Sequence, residues 1–239
     1  MKKIYILILT LFVSGCATTY RTNPSFANYF DVHKSIAIMP PDMRICRLTA
    51  GGVSELVDEW SLDSKTKILE LLKEELASSH AMKLTYFKEE KLSQQDKDYF
   101  KEEDGLFDTV TYSIIAHTYT PESTFAHKLK NFDYTLGPEV SRLSAISGCD
   151  TLLFCSGRNY IWTAGRTALS IFGMLAGAAT GVSIIVPAGP EWFAFALVDA
   201  KSGDIIWFDH VPFPGDLRNK EIVRKHIKRI ASSFPTNWR

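Results

Sequence analysis

The chain has 239 residues and a formal net charge of zero at neutral pH. Apolar residues make up 46% and charged residues 23% of it, which supports a hydrophobic core and excludes a chain that is disordered throughout. The length predicts a single domain of ordinary size. The balanced charge gives no reason to expect nucleic acid as a partner.

The first residues are typical of a secretory signal. Lys2 and Lys3 precede the apolar run Ile4–Val13, which is too short to span a bilayer comfortably. The segment that follows, Val-Ser-Gly-Cys, resembles the bacterial lipobox. The resemblance implies cleavage of residues 1–15 and lipidation of Cys16, so the chain would be attached to a membrane through its lipidated amino terminus. No Asp follows Cys16, which in enteric-type sorting favours the outer membrane.

The mature chain divides into two parts. Residues 16–33 are polar and aromatic without a clear period, and we expect a lipidated tether that reaches roughly 20–25 Å as a flexible coil. Residues 34–239 are expected to form a single periplasmic α/β domain.

Three cysteines remain after lipidation. Cys149 and Cys155 flank a predicted strand, which places them roughly 20 Å apart and too far to bridge. Any intramolecular disulfide should therefore use Cys46, and Cys46 with Cys155 is the candidate pair. The alternative is three buried, unpaired thiols.

The first half of the domain contains both element types. The apolar run Lys34–Met39 predicts a strand that ends at two prolines. A leucine stripe predicts a helix over Ser61–Ser79, and a strand is expected over Ala81–Phe87. The highly charged segment Glu89–Glu103 is expected to be a solvated helix or loop.

The middle of the chain is less regular. Leu106–Thr118 fits a helix slightly better than a strand. Pro138–Ile146 predicts a short helix with Gly148 as its C-cap. The aromatic loop around Phe132 and Tyr134, with Lys128 and Lys130 nearby, could contact a partner or fill the core.

The last third predicts a strand, an insert, a hairpin and a helix. Thr151–Cys155 is a buried strand that Arg158–Ala164 would continue or pair with. Glu191–Val198 is apolar on both faces, as in a central strand, and Ile205–Val211 returns to form a hairpin. Asn219–Phe234 is an amphipathic helix. The predicted fold class is α/β (α+β): a mixed sheet flanked by helices, with a glycine-rich helical insert before the hairpin.

The insert has no charged residue from Ala168 to Val186. Gly173, Gly177 and Gly181 have the spacing of a helix-packing face. Three interpretations remain open: close packing within the domain, a seam between subunits of a homo-oligomer, or insertion into a membrane.

The last helix carries a second candidate surface. Its cations could meet lipid headgroups, a glycan or an acidic partner, or could form an ordinary solvated face. They are Lys220, Arg224, Lys225, Lys228 and Arg229.

No catalytic motif or metal-ligand spacing is present in the sequence, so we expect no cofactor and no metal. Cys155 with His210 is the one candidate for a nucleophilic pair. Periplasmic hydrolysis is therefore kept only as an alternative function.

Two segments resemble a known superfamily. The run Lys34–Pro41 and the strand–turn–strand segment around Asp199 and Trp207 resemble bacterial envelope lipoproteins. That superfamily includes the curli-secretion lipoprotein, activators of penicillin-binding proteins and the amino-terminal domain of TolB. The resemblance implies a non-enzymatic protein that binds envelope proteins in an assembly, transport or secretion complex. A ring or channel subunit that uses the glycine helix is an alternative.

Overall fold

The computed structural model describes residues 20–30, 35–77, 83–120, 124–181 and 189–234. These residues form one mixed sheet with helices on both faces. The strands are β1 Arg21–Thr22, β2 Ser35–Ile38, β3 Asp42–Leu48, β4 Ser54–Leu56, β5 Lys83–Tyr86, β6 Thr151–Trp162, β7 Trp192–Asp199 and β8 Ile205–Pro212. The helices are α1 Phe26–Phe30, α2 Asp58–Ala77, α3 Gln94–Ile114, α4 Ala126–Lys130, α5 Ser141–Ser147, α6 Ala164–Thr180 and α7 Lys220–Ser233.

The strand β6 organises the sheet. It pairs antiparallel with β7 on one side, and on the other side it pairs in parallel first with β2 and then with β3. β8 lies beyond β7 with β1 at its edge, while β5 forms the opposite edge next to β2. The predicted segment Arg158–Ala164 therefore continues the strand as far as Trp162, and its last residue, Ala164, already begins α6.

The core lies on both faces of this sheet. One face packs against α2 and α7, and the other packs against α3 and the segment around Phe132. Every residue of β7 is buried, which confirms the central strand expected from its unbroken apolar run. Phe132 and Tyr134 are also buried, so the aromatic loop fills the core.

The strand β3 is missing from the expectations because Pro40 and Pro41 end the preceding apolar run. Proline removes a backbone donor, so the two residues interrupt the ladder, but the chain resumes pairing with β6 beyond them. Buried Met43 and Ile45 alternate with exposed Arg44. This alternation with a period of two is the sequence pattern that indicates the strand β3.

The helix α3 spans two segments that the sequence predicts as separate elements, Glu89–Glu103 and Leu106–Thr118. It runs through Gly105 without a break and ends in one turn of π-helix, Ile115–Tyr119. The prediction of a solvated segment over Glu89–Glu103 is wrong at Phe100 and Glu103, which are buried. Both face the core because α3 is long enough to pack its inner stripe along the sheet.

The segment expected as a tether is partly folded. Arg21 and Thr22 pair with Phe208 and Trp207 of β8, and the hydroxyl of Tyr29 donates to Asp204 at 3.1 Å. Tyr20, Phe26 and Tyr29 pack against the core. The described part of the segment is therefore attached to the domain, because its aromatic side chains bury apolar surface there.

Candidate functional site

Three strands finish at the same end of the sheet. Leu48 at the end of β3 pairs with Trp162 at the end of β6, and Pro212 at the end of β8 is level with Arg158. The helix α6 follows shortly after Trp162, so we call this end of the sheet, where β3, β6 and β8 finish, the α6 end.

The helix α6 begins and ends at well-defined caps. The side chain of Thr163 accepts from the amide of Arg166 at the amino terminus. Arg166, the single charged residue of the helix, is buried, and its guanidinium group lies against the β3–β4 turn near Gly52. The rest of the helix surface is therefore uncharged.

The three glycines of the insert have different roles. Gly173 is buried and Gly177 is half-buried, on the same face as Arg166 and Ser170. Gly181 instead ends the helix as a C-cap with φ of 74°, and a side chain there would meet open space. Gly173 and Gly177 therefore share one face of the helix, which Gly181 leaves because its backbone is left-handed. A packing role for that face stays a prediction.

The opposite face of α6 exposes large apolar side chains. At 100° per residue they cover an arc of about 220° around the helix. The exposed residues are Leu169, Ile171, Phe172, Met174 and Leu175. An exposed apolar surface of this size in a folded domain is typical of an interaction site.

Further apolar residues lie at the same end of the sheet. Trp162 and Val53 are exposed there. Phe213 is 80% exposed and has a positive φ of 50°, which is strained for a bulky residue. A strained backbone that holds an aromatic ring in solvent is characteristic of a functional surface.

The charged helix α7 does not present the free basic face expected from its sequence. Arg224 contacts Glu74 at 2.9 Å, Lys220 contacts Glu70 at 3.6 Å and Lys228 contacts Glu75 at 3.9 Å. The acidic residues belong to α2, which packs beside α7. Because α2 supplies the matching charges, this surface is close to neutral.

Arg229 has a different place from the other cations of α7. It lies 3.2 Å from both carboxylate oxygens of Asp209, whose side chain is fully buried, and Ser233 donates to the same carboxylate at 2.7 Å. Arg229 therefore compensates a buried charge of the fold, unlike the other cations of the predicted partner surface. Lys225 stays exposed.

The edge strand β5 borders a groove of about 340 Å³. The groove lies between the strand and the end of α5, and its walls combine apolar Leu92 and Ile146 with exposed Lys88 and Lys91. Within the described residues β5 pairs only with β2. The amide of Phe87 donates to Ile38 of β2, so the alternating main-chain groups of Leu84 and Tyr86 face the open side.

The cysteine predictions need correction. Cys46, Cys149 and Cys155 are free thiols in the structure. Cys46 pairs with Tyr160, five positions along β6 from Cys155, so the two sulfur-bearing residues lie about 17 Å apart along the strand. The Cys46–Cys155 bridge is therefore not formed.

The Cys155–His210 pair is not formed either. Cys155 aligns with Phe195 and Asp209, so His210 is one register position away and points to the opposite face of the sheet. Burial raises the pKa of the Cys155 thiol well above its usual range and lowers the pKa of His210 to about 4. A buried neutral thiol and an imidazole on the other face cannot act as a nucleophile and its base.

Cys16 and the predicted signal segment, residues 1–15, lie outside the described residues. Within the described ranges, no helix is both long and apolar enough to cross a membrane. The same ranges contain no cluster of His, Cys, Asp or Glu side chains suited to a metal ion.

No family model matches the chain. No curated protein matches it either. Among solved structures it is similar to the PelC dodecamer from Paraburkholderia phytofirmans, with a TM-score of 0.34 and 8% identity over 90% of this chain and 93% of that chain.

Two further solved structures show a similar degree of likeness. The LpoB C-terminal domain from Salmonella enterica has a TM-score of 0.27 and 9% identity, over 79% of this chain and 91% of that chain. Lipoprotein GNA1162 from Neisseria meningitidis has a TM-score of 0.29 and 11% identity, over 83% and 96%. Likenesses of this strength identify no family for the chain.

Proposed function

We propose that the chain is a lipid-anchored envelope protein, held at the outer membrane through Cys16, whose domain binds protein partners in an assembly, transport or secretion complex and catalyses no reaction. The open edge of β5 and its groove carry the protein-binding part of this proposal. An unpaired edge strand offers main-chain donors and acceptors to an extended segment of another protein.

The groove also indicates the chemistry of that segment. Leu92 and Ile146 provide apolar contacts for alternate side chains of an added strand. Lys88 and Lys91 are exposed beside them and favour a segment with acidic residues. We therefore expect the partner to contribute an extended, partly acidic peptide.

The anchor is tested by removing its acylation site. Cys16→Ala should leave the precursor uncleaved by the lipoprotein signal peptidase and should release the chain from outer-membrane fractions. Globomycin should likewise accumulate the precursor of the unchanged chain. Unaltered outer-membrane fractionation of Cys16→Ala would contradict the anchor.

The groove is tested by reversing its charge. Lys88→Glu with Lys91→Glu should reduce the amount of the main protein that co-purifies with the acylated chain from solubilised envelopes by about tenfold or more. Lys97→Glu with Lys101→Glu is the control, since it makes the same charge change on α3. Equal co-purification by both double variants would count against the groove.

A further inference from the structure

The apolar face of α6 is unusual in its breadth. A helix that packs on one protein neighbour needs an apolar stripe a little over 100° wide. The exposed side chains of α6 cover about 220° at 100° per residue, with Phe172 at 70% and Leu175 at 67% exposure. An apolar environment that surrounds the helix buries more of such a surface than a single flat interface does.

The charge distribution of α6 also favours contact with lipid. Arg166 is buried, with its guanidinium group near the β3–β4 turn. Small residues, among them Gly173, form the face of the helix that is turned toward the protein. The outward face has neither charge nor large polar groups over about 25 Å of helix length. Such a helix can lie at the boundary between headgroups and acyl chains without desolvating a charge.

Two exposed aromatic residues lie at the same end of the sheet as the helix. Trp162 lies immediately before α6, and exposed Phe213 follows the end of β8. Tryptophan and other aromatic side chains are favoured at the level of lipid headgroups because their rings are partly apolar. Both rings therefore add to the apolar surface at the α6 end of the sheet, and we call α6, Trp162 and Phe213 together the platform.

The direction of the amino-terminal chain supplies an independent argument. β1 runs antiparallel to β8, with Arg21 opposite Phe208 and Thr22 opposite Trp207. The chain therefore reaches the sheet from the α6 end. Cys16 and Arg21 are only five positions apart in the sequence, a span of at most about 17 Å. The same five positions separate Phe208 from Phe213, just beyond the end of β8.

We infer that α6, together with Trp162 and Phe213, is a lipid-binding surface that inserts into the headgroup region of the bilayer to which Cys16 is attached. The argument from chain direction rests on the proposed anchor, whereas the apolar platform does not. The protein is then attached at two places, by acyl chains and by the platform, which fixes the orientation of the domain. The β5 groove lies level with Leu153, about 30 Å along β6 from Trp162, and faces away from the bilayer.

The test uses the full mature chain, residues 16–239, with Cys16→Ala so that no acyl chain contributes. Flotation with vesicles of phosphatidylethanolamine and phosphatidylglycerol should recover the protein at low and at high salt, since no charge is involved. Leu175→Asp should reduce the partition coefficient by about tenfold or more, because it loses apolar burial and adds a charge. Thermal melting of the variant should match that of the parent, because Leu175 is exposed.

The matched control is Leu62→Asp. Leu62 lies on α2 and is 66% exposed, against 67% for Leu175, so the same substitution removes the same side chain at equal exposure. It should float like the parent. Failure of the parent to float, or equal flotation by the two variants, would overturn the inference.

A second copy of the chain is the alternative to lipid as the partner that covers the apolar surface of α6. If the parent is an oligomer by mass measurement without lipid, does not float, and becomes a monomer with Leu175→Asp, the platform is a seam between subunits and the inference is wrong. Because neither measurement needs the acyl chains or a protein partner, its failure is distinguishable from failure of the anchor or of the β5 groove.

Discussion

The carboxyl group of Asp104 on α3 lies near Asp42 and Glu89, and one of its oxygens is buried without a hydrogen-bond partner among the described residues. Burial, with repulsion from Asp42, raises its pKa to about 8. At any pH between the unfolded pKa near 4 and the folded pKa of about 8, the folded chain therefore holds a proton at Asp104 that the unfolded chain has lost. Within that window the contribution of Asp104 to stability falls as the pH rises.

Asp104→Asn should remove this pH dependence. The variant should gain stability relative to the parent as the pH rises from 5 to 8, by roughly 2–4 kcal/mol at the upper end. Urea unfolding of the Cys16→Ala chain at both pH values measures the difference. A constant difference across that range would contradict a protonated Asp104.

The buried pair of Asp209 and Arg229 gives a second prediction at this scale. Arg229→Met leaves the Asp209 carboxylate buried without its charged partner, and should cost about 2–4 kcal/mol of unfolding free energy. Adding Asp209→Asn should recover part of that loss. Lys225→Met, on the exposed side of the same helix, should change stability by less than about 0.5 kcal/mol.

Sequence reasoning placed Arg229 on the outer face of α7 because cations usually stay solvated there. The error arises because the helix period alone does not reveal that Asp209, a single acidic residue inside an apolar strand, needs a charged partner. An isolated acid in such a strand was the signal that could have found the pair.

Most elements could be predicted from local patterns, and the elements that were missed have local physical causes. The buried strand β7 and the amphipathic helix α7 have long, clear periods. The strand β3 is not predicted because two prolines precede it. The helix α1 is not predicted because its five residues are too few to show a helical period. The position of α6 at one end of the sheet depends on long-range pairing, which a single sequence does not reveal.

The turn between β7 and β8 depends on a close contact between two backbones. Gly203 has a φ of 79°, and a Cβ there would lie 2.0 Å from the carbonyl oxygen of Gly137. The amide of Leu136 also donates to the carbonyl oxygen of Gly203 at 2.9 Å. The hairpin is thereby attached to the segment that carries Tyr134 into the core.

Gly203→Ala should therefore cost more than about 2 kcal/mol of unfolding free energy, because it adds a backbone clash to the conformational strain. Gly148→Ala is the control, since its φ is also positive, at 68°, but its Cβ would meet open space. It should cost only about 1 kcal/mol. Equal losses in chemical denaturation would show that the contact with Gly137 is not tight.

At the scale of the whole molecule, the two ends of the sheet differ in character. The α6 end combines the exposed apolar side chains with the direction from which the amino-terminal chain reaches the sheet. The opposite end presents the β5 edge and its groove. One end would then contact lipid while the other binds protein.

The depth of two tryptophans measures this orientation most directly. Phe172→Trp on α6 and Ile146→Trp beside the β5 groove are prepared in the acylated protein and reconstituted in vesicles with brominated phospholipid. The unsubstituted acylated protein provides the background of its five native tryptophans. The account predicts that the added emission of the Phe172→Trp protein is blue-shifted and strongly quenched, whereas that of the Ile146→Trp protein is unquenched. Equal quenching of both, or quenching of neither, would contradict a domain held against the bilayer by α6.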